Sequence, residues 1–274
     1  MRKQKWTWLW IALSVCAVIA VNIPFLTAVL TSFKSNADIS QNPLRLPTTL
    51  TLQHYLNLGN DPQFDFVGYL INSVSLSVGA VVLTAVLGLP AAYAIVKLGV
   101  GGPRLLGVVT SLRIIPSIFL MVPFFLLFTT LGLIDTPTVL ILANAVLNIS
   151  LVMLIYAAAF QGVPESIFDA GRIDGAGALR VFFSLMLPLI RPAIASAALL
   201  TFVFSWSEYL FGLVLTTQKA VPLTVGVSNF VTNTGTQWGD MSATVVISIV
   251  PTLLVAVFAQ KHFVSGLTAG AIKG

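Results

Sequence analysis

The feature that most restricts what this chain can fold into is a succession of long apolar windows. Asp, Glu, Lys and Arg are absent from 8–30, 67–96, 138–160 and 241–259. Window 105–131 contains only Arg113, and window 188–215 only Arg191 and Glu208. A helix needs about 20 predominantly apolar residues to cross the hydrocarbon core of a bilayer. The six windows therefore predict six transmembrane helices in one all-α integral membrane domain over 1–274. Composition closes the alternatives. Fourteen Lys and Arg with nine Asp and Glu make 8% of the chain, and the mean hydropathy is +0.97. Soluble domains are about 25% charged, so a water-facing exterior cannot be covered and lipid must face most of the surface. A soluble enzyme, a disordered chain and a nucleic-acid binder are excluded, the last despite a sequence pI of 9.6. The lone Cys16 permits no internal disulfide and reads as a small buried hydrophobe.

Short connections carry an orientation signal, because Lys and Arg accumulate on the cytoplasmic side. Arg2, Lys3, Lys5, Lys97, Arg104, Arg172, Arg180, Lys261 and Lys273 fall on one side, and Lys34, Arg45 and Lys219 on the other. Both termini are thus expected in the cytoplasm, with 32–66 and Asp135 outside. Arg2, Lys3 and Lys5 precede the first window as in a signal peptide. The window nevertheless continues without a small-residue cleavage site, so it reads as a retained span. Pro24, Pro90, Pro116, Pro123, Pro188, Pro192 and Pro251 punctuate the windows, favouring kinked helices around an interior path over a static anchor.

The most unusual connection is 161–192. Gly162 ends one helix, and Pro164 fits the first turn of the next. Glu165 and Asp169 stand near that new N-terminus, where the helix dipole favours acids. Ile167, Phe168, Ala170 and Ile173 supply apolar contact surface. Asp174-Gly175-Ala176-Gly177 reads as a tight turn before a helix that re-enters the membrane at Leu187-Pro188. Two acids beside exposed apolar residues fit a partner surface bearing basic groups better than anionic lipid.

This segment resembles the EAA motif, EAA-x3-G-x9-I-x-LP, of permease subunits in binding-protein-dependent ABC importers. Asp169-Ala170-Gly171 occupies the EAA place, Gly175 the motif glycine and Leu187-Pro188 the close; Leu185 stands where Ile is usual. Asp for Glu and Gly for the second Ala are departures. The Asp174-Gly175-Ala176 extension is similar to the carbohydrate-uptake branch exemplified by the maltose permease pair. So are Trp206-Ser207-Glu208-Tyr209-Leu210-Phe211 and the tail 266–274. The resemblance implies a type I importer permease fold in a bacterial inner membrane, with six spans and a cytoplasmic coupling helix. It makes Glu165, Phe168, Asp169, Ala170, Gly171, Asp174, Gly175, Leu187 and Pro188 the expected ATPase-coupling residues. It also implies a dimeric cytoplasmic ATP-binding subunit, a second homologous permease, an extracytoplasmic solute-binding protein, and a sugar or related polyol as solute. The phosphate-cradling pattern G-x-x-x-x-G-K-[ST] does not occur in this chain. ATP and Mg are accordingly expected on the partner, with no catalytic residue, cofactor or metal held here.

Polar residues at membrane depth mark function or paired contacts. Glu208, between Trp206 and Tyr209, is a candidate for a sugar path, although an aromatic belt near the interface explains the same residues. Asn144 and Asn148 share a helix face, as do Asn72, Ser75 and Gly79; such faces line a pore or bond neighbouring helices equally well. Arg113 is expected in a structural pairing or snorkelling to the boundary. The competing reading, an ion-gradient-driven carrier or channel, needs ionisable mid-span groups and leaves the acidic segment without a task. A polytopic membrane enzyme would need a cluster of His, Asp or Glu that the sequence does not present.

Overall fold

The computed structural model describes residues 2–43, 45–62, 64–233 and 235–268, with the side chains of 2–7, 9 and 259–268 left out. The chain begins with α1 (Arg2–Ser32), α2 (Asn36–Gln41), α3 (Gln53–Asn60), α4 (Phe66–Lys97) and α5 (Gly102–Ser111). It continues through α6 (Ser117–Thr130), α7 (Pro137–Gly162), α8 (Glu165–Ile173), α9 (Ala178–Val181) and α10 (Leu187–Leu189). After α11 (Arg191–Trp206), α12 (Leu210–Leu215) and α13 (Leu223–Gly226) comes a hairpin of β1 (Val231–Thr232) and β2 (Gly235–Thr236). The strands are antiparallel, with Val231 opposite Thr236, and α14 (Trp238–Thr268) follows.

Trp10–Ser32, Phe66–Lys97, Pro137–Gly162 and Trp238–Phe258 are each long and apolar enough to cross a membrane as one helix. The windows expected at 105–131 and 188–215 are instead broken. Gly102–Ile114 and Ser117–Thr130 meet at 97°, and Ala178–Leu189 and Arg191–Trp206 at 76°. Proline explains both breaks. Pro116 forces Ile115 into extended backbone (φ −71°, ψ 117°) and cannot donate a helical hydrogen bond. At the second, Ile190 leaves helical geometry (φ −98°, ψ 12°) just before Pro192, which starts the next helix without an N–H to bond back across the junction; a π-helical turn, Phe182–Met186, precedes it. Pro24, Pro90, Pro123 and Pro251 lie inside uninterrupted helices.

Two units share the chain. In the first, Met1–Phe66 with Val227–Val250, the α1 side chains from Trp10 to Pro24 are exposed, and only the last turns, ending in the buried Ser32, gain protein cover. Cys16 is therefore exposed rather than buried, on a surface suited to lipid. The connection after α1 is fastened by polar groups: the buried Lys34 ammonium donates to the carbonyls of Asn42 (3.0 Å) and Pro43 (2.8 Å). His54 joins Asp240 Oδ1 through Nδ1 and the Lys34 carbonyl through Nε2, both at 2.9 Å.

The second unit, Val67–Gly226 with Pro251–Gly274, holds two apolar cores. One gathers Tyr93, Phe168 and Phe182 around the α8 end of α4 and α7. The other gathers Leu76, Phe128, Leu140, Phe211 and Leu215 toward the opposite end. Where the outside is lipid, such cores are held by close packing rather than by transfer of apolar side chains out of water.

Candidate functional site

The segment expected to couple is built on the end of α4. Lys97 closes that helix, is buried, and donates to the Val163 carbonyl at 2.9 Å and to Glu165 Oε1 at 2.6 Å. Val163 and Pro164 run extended, and α8 starts at Glu165. Phe168, 5% exposed, turns inward. Its ring meets Tyr93 edge-on at 6.3 Å, with Lys97 and Arg172 against its face at 6.0 and 5.8 Å. Gly171, one turn on, lets α8 approach the next helix; a Cβ there would lie 2.7 Å from Leu185 Cδ1 and 3.2 Å from Val181 Cγ2. The helix ends as a Schellman motif: the Gly175 N–H donates to the Arg172 carbonyl and the Ala176 N–H to the Gly171 carbonyl, both at 3.0 Å. Gly175 holds the left-handed conformation this requires, φ +75°.

Ile167, Asp169, Ala170 and Ile173 are exposed, Ile173 at 85%. Phe168 thus anchors the helix and does not belong to its outer contact surface, correcting the expectation. Leu187 and Pro188 are half-buried behind it.

Further along α7 lies a cavity of about 450 Å³ lined by Arg113, Phe124, Asn144, Asn148, Phe204 and Glu208, among others. Ser150 Oγ donates to the Val109 carbonyl at 2.8 Å, pinning α5 against the middle of α7. Asn148 Nδ2 donates to the Asn144 carbonyl (2.9 Å) and reaches Ser205 Oγ on α11 at 3.4 Å. Glu208 lies in the break between α11 and α12, where it accepts from the N–H groups of Phe211 (2.9 Å) and Gly212 (3.2 Å). Its carboxylate thus satisfies the otherwise orphaned first donors of α12.

Beyond α12, Asp135 organises the loop that follows. It has φ +59°, and its carboxylate accepts from the N–H groups of Thr217, Gln218, Lys219 and Ala220 at 3.0–3.2 Å and from Thr217 Oγ1 at 3.0 Å. Partial burial pushes this carboxyl up, but the N–H groups of Thr217, Lys219, Ala220 and Gln218 outweigh it and hold it well below the ordinary carboxylate range.

Residues 84–268, which include α8, the cavity and Asp135, match the family model described as "Binding-protein-dependent transport system inner membrane component". The chain belongs to this family. Among the members it resembles is the trehalose transport system permease protein SugB of Mycobacterium tuberculosis, 31% identical over 97% of each chain. The trehalose/maltose transport system permease protein MalG of Thermococcus litoralis is 32% identical over 92% of this chain and 91% of its own. In fold it is similar to a chain from the crystal structure of a bacterial ABC transporter involved in the import of the acidic polysaccharide alginate. The TM-score is 0.77 at 23% identity, with 95% of this chain and 97% of that one covered.

In this inner membrane component, the expected coupling residues lie on one continuous segment, while the expected path residues separate. Asn144, Asn148 and Glu208 line one cavity. Asn72 Nδ2 donates to the carbonyls of Lys219 (2.9 Å) and Val221 (3.0 Å), so it fastens the loop that Asp135 caps. Trp206 is buried and stacks on Phe202 at 5.6 Å and 14°. Tyr209 is the N-cap position of α12 and lies outside the cavity lining. The cavity instead takes its aromatic surface from Phe124 and Phe204, which spacing alone did not single out. Arg113, expected in a structural pairing or snorkelling to the boundary, is exposed; among the described residues its guanidinium lies over the Phe204 ring at 5.5 Å and has no carboxylate within 4.0 Å. The tail 269–274 lies outside the described residues.

Proposed function

We propose that this chain is one of two homologous permease subunits in an ATP-driven importer, forming half of the pathway for a sugar or related polyol. A dimeric cytoplasmic ATP-binding subunit would hold ATP and Mg, and an extracytoplasmic solute-binding protein would deliver the solute. The positive-inside bias supports a cytoplasmic α8 and cytoplasmic termini. Relatives named for trehalose and maltose transport support the solute class.

One observation carries the reading: α8 is locked to the bundle on its inner face and exposes an apolar and acidic outer face. Phe168 and Lys97 tie it to α4, and Gly171 lets it seat against Val181 and Leu185 ahead of α11. A push on the surface of Ile167, Asp169, Ala170 and Ile173 is therefore transmitted to two spans at once. Closure of the partner ATPases would supply that push, and the breaks at Ile115-Pro116 and Ile190 give the spans places to bend. The ion-driven alternative leaves this bracket unused.

Affinity purification of the tagged chain from its native membrane should recover a Walker-motif ATPase, and uptake of trehalose by the complex in proteoliposomes should require ATP inside. Uptake by this chain alone, indifferent to ATP, would overturn the proposal. So would labelling of 161–180 from outside the cell.

A further inference from the structure

We infer that Arg113 is the residue with which this chain holds solute, and that the part held is an uncharged, hydroxyl-bearing ring. The inference rests on the importer reading and adds to it a recognition residue and the absence of charge on the part held. Asn144 and Asn148 stand seven and eleven residues into α7 from Pro137, roughly 10–17 Å from that end at 1.5 Å per residue. Arg113 opens onto the same cavity at the 97° break, without a carboxylate partner among the described residues. Its side chain is exposed in this chain, and a guanidinium inside an otherwise apolar window is unfavourable unless water, a partner or a solute solvates it.

The remaining lining decides what that solute is. Glu208 supplies one negative charge to the cavity that Arg113 supplies with one positive, so the formal charge is zero. For an anion or a cation, attraction to one of these groups is offset by repulsion from the other, so the lining gives neither sign a net advantage over an uncharged solute. Asn144 donates through Nδ2 to the Leu140 carbonyl at 3.0 Å, while its buried Oδ1 has no partner. An unsatisfied buried acceptor is unfavourable by about 1–3 kcal/mol, and a small turn of the amide would offer it to an entering O–H. A hydroxyl group donates and accepts at once, so neighbouring hydroxyls can serve Asn144 and the forked guanidinium together. The apolar C–H face of a pyranose fits Phe124 and Phe204. About 450 Å³ lies within the usual range for small-molecule sites.

The test uses the assembled complex in nanodiscs, with Cys16→Ser and Ser117→Cys leaving one thiol in this chain, on the cavity wall, whose alkylation is read by the mass of this chain. Its alkylation rate by a maleimide is measured with trehalose, glucuronate or glucosamine, each on the order of tens of millimolar, enough to occupy a millimolar site. Trehalose should slow alkylation most. Arg113→Gln should raise the trehalose concentration required by roughly tenfold or more, as loss of a charge-assisted hydrogen bond implies. Arg113→Lys, which keeps the charge but not the fork, should give an intermediate shift and serves alone if the Gln variant fails to assemble. Stronger protection by glucuronate or glucosamine, protection by no probe, or an unchanged requirement in both variants would overturn the inference. Protection needs no ATP, so its failure beside intact ATP-driven uptake removes this inference only. ATP-independent uptake would remove the importer reading instead.

Discussion

Replacing Gly175 isolates the turn that ends the coupling helix. Its φ is +75°, and a Cβ built there meets no atom within 4 Å. Substitution therefore introduces no clash, and its effect is torsional. For an L-residue the left-handed conformation costs about 1–2 kcal/mol, so Gly175→Ala should reduce the correctly turned population by roughly 5–30-fold relative to alternatives. Gly175→Asn should cost less, because Asn tolerates this region, and Gly175→Val more, because a β-branched side chain there is a genuine outlier. In proteoliposomes carrying the whole importer, solute taken up per ATP hydrolysed should fall in the order Gly, Asn, Ala, Val. Membrane insertion should be unaffected, since the turn lies outside the apolar windows. A Val variant coupled as well as the parent would refute the reasoning, as would an Asn variant worse than Val.

Gly171→Ala should stay within about 1 kcal/mol of the parent, the gain in helix propensity offsetting displacement of the mobile Leu185 tip. Gly171→Ile should lower the melting point of the purified complex, overpacking against Val181 by about 1–3 kcal/mol. Asp135, whose folded carboxyl titrates below its unfolded value, contributes stability that is fully present above the unfolded pKa of about 3.9. That contribution is lost as pH falls toward the folded value. The difference in melting point between parent and Asp135→Asn should accordingly be constant above about pH 5 and shrink below about pH 4; a difference growing on acidification contradicts the assignment. Asp169 is exposed with no ion pair among the described residues. Asp169→Lys should weaken retention of the ATPase, more at 20 mM than at 500 mM salt given Debye lengths of roughly 20 Å and 4 Å.

The local structure of 161–188 was legible because local rules govern it. Proline at an N-terminus, acids in the first turn and glycine at a C-terminus act over a few residues, and their spacing survives in the structure. The direction of Phe168 was not legible, since a lone apolar helix offers no sign of which face meets the bundle until Tyr93 and Lys97 are placed beside it. The cavity was partly legible. Asn144 and Asn148 share a face by helical periodicity, but Asn72 shows the same polarity and is engaged by loop carbonyls distant in sequence. Which polar residue faces a path depends on long-range partners that no local pattern reports.

One relation within the windows follows from the same physics. The three charged residues inside them are Arg113, Arg191 and Glu208. Arg113 immediately precedes the break at Ile115-Pro116, Arg191 follows the one at Ile190, and Glu208 occupies the one between α11 and α12. The charge-free windows at 8–30, 67–96, 138–160 and 241–259 lie within continuous helices. Broken backbone leaves donors and acceptors that lipid cannot satisfy, so it persists only against protein or water. A charged side chain requires the same surroundings and can complete the bonding of the break itself, as Glu208 does for α12. Charge and helix rupture thus select the same hydrated places in a membrane protein. Here two of the three charges line one cavity, which places two of the helix breaks beside the same polar surface.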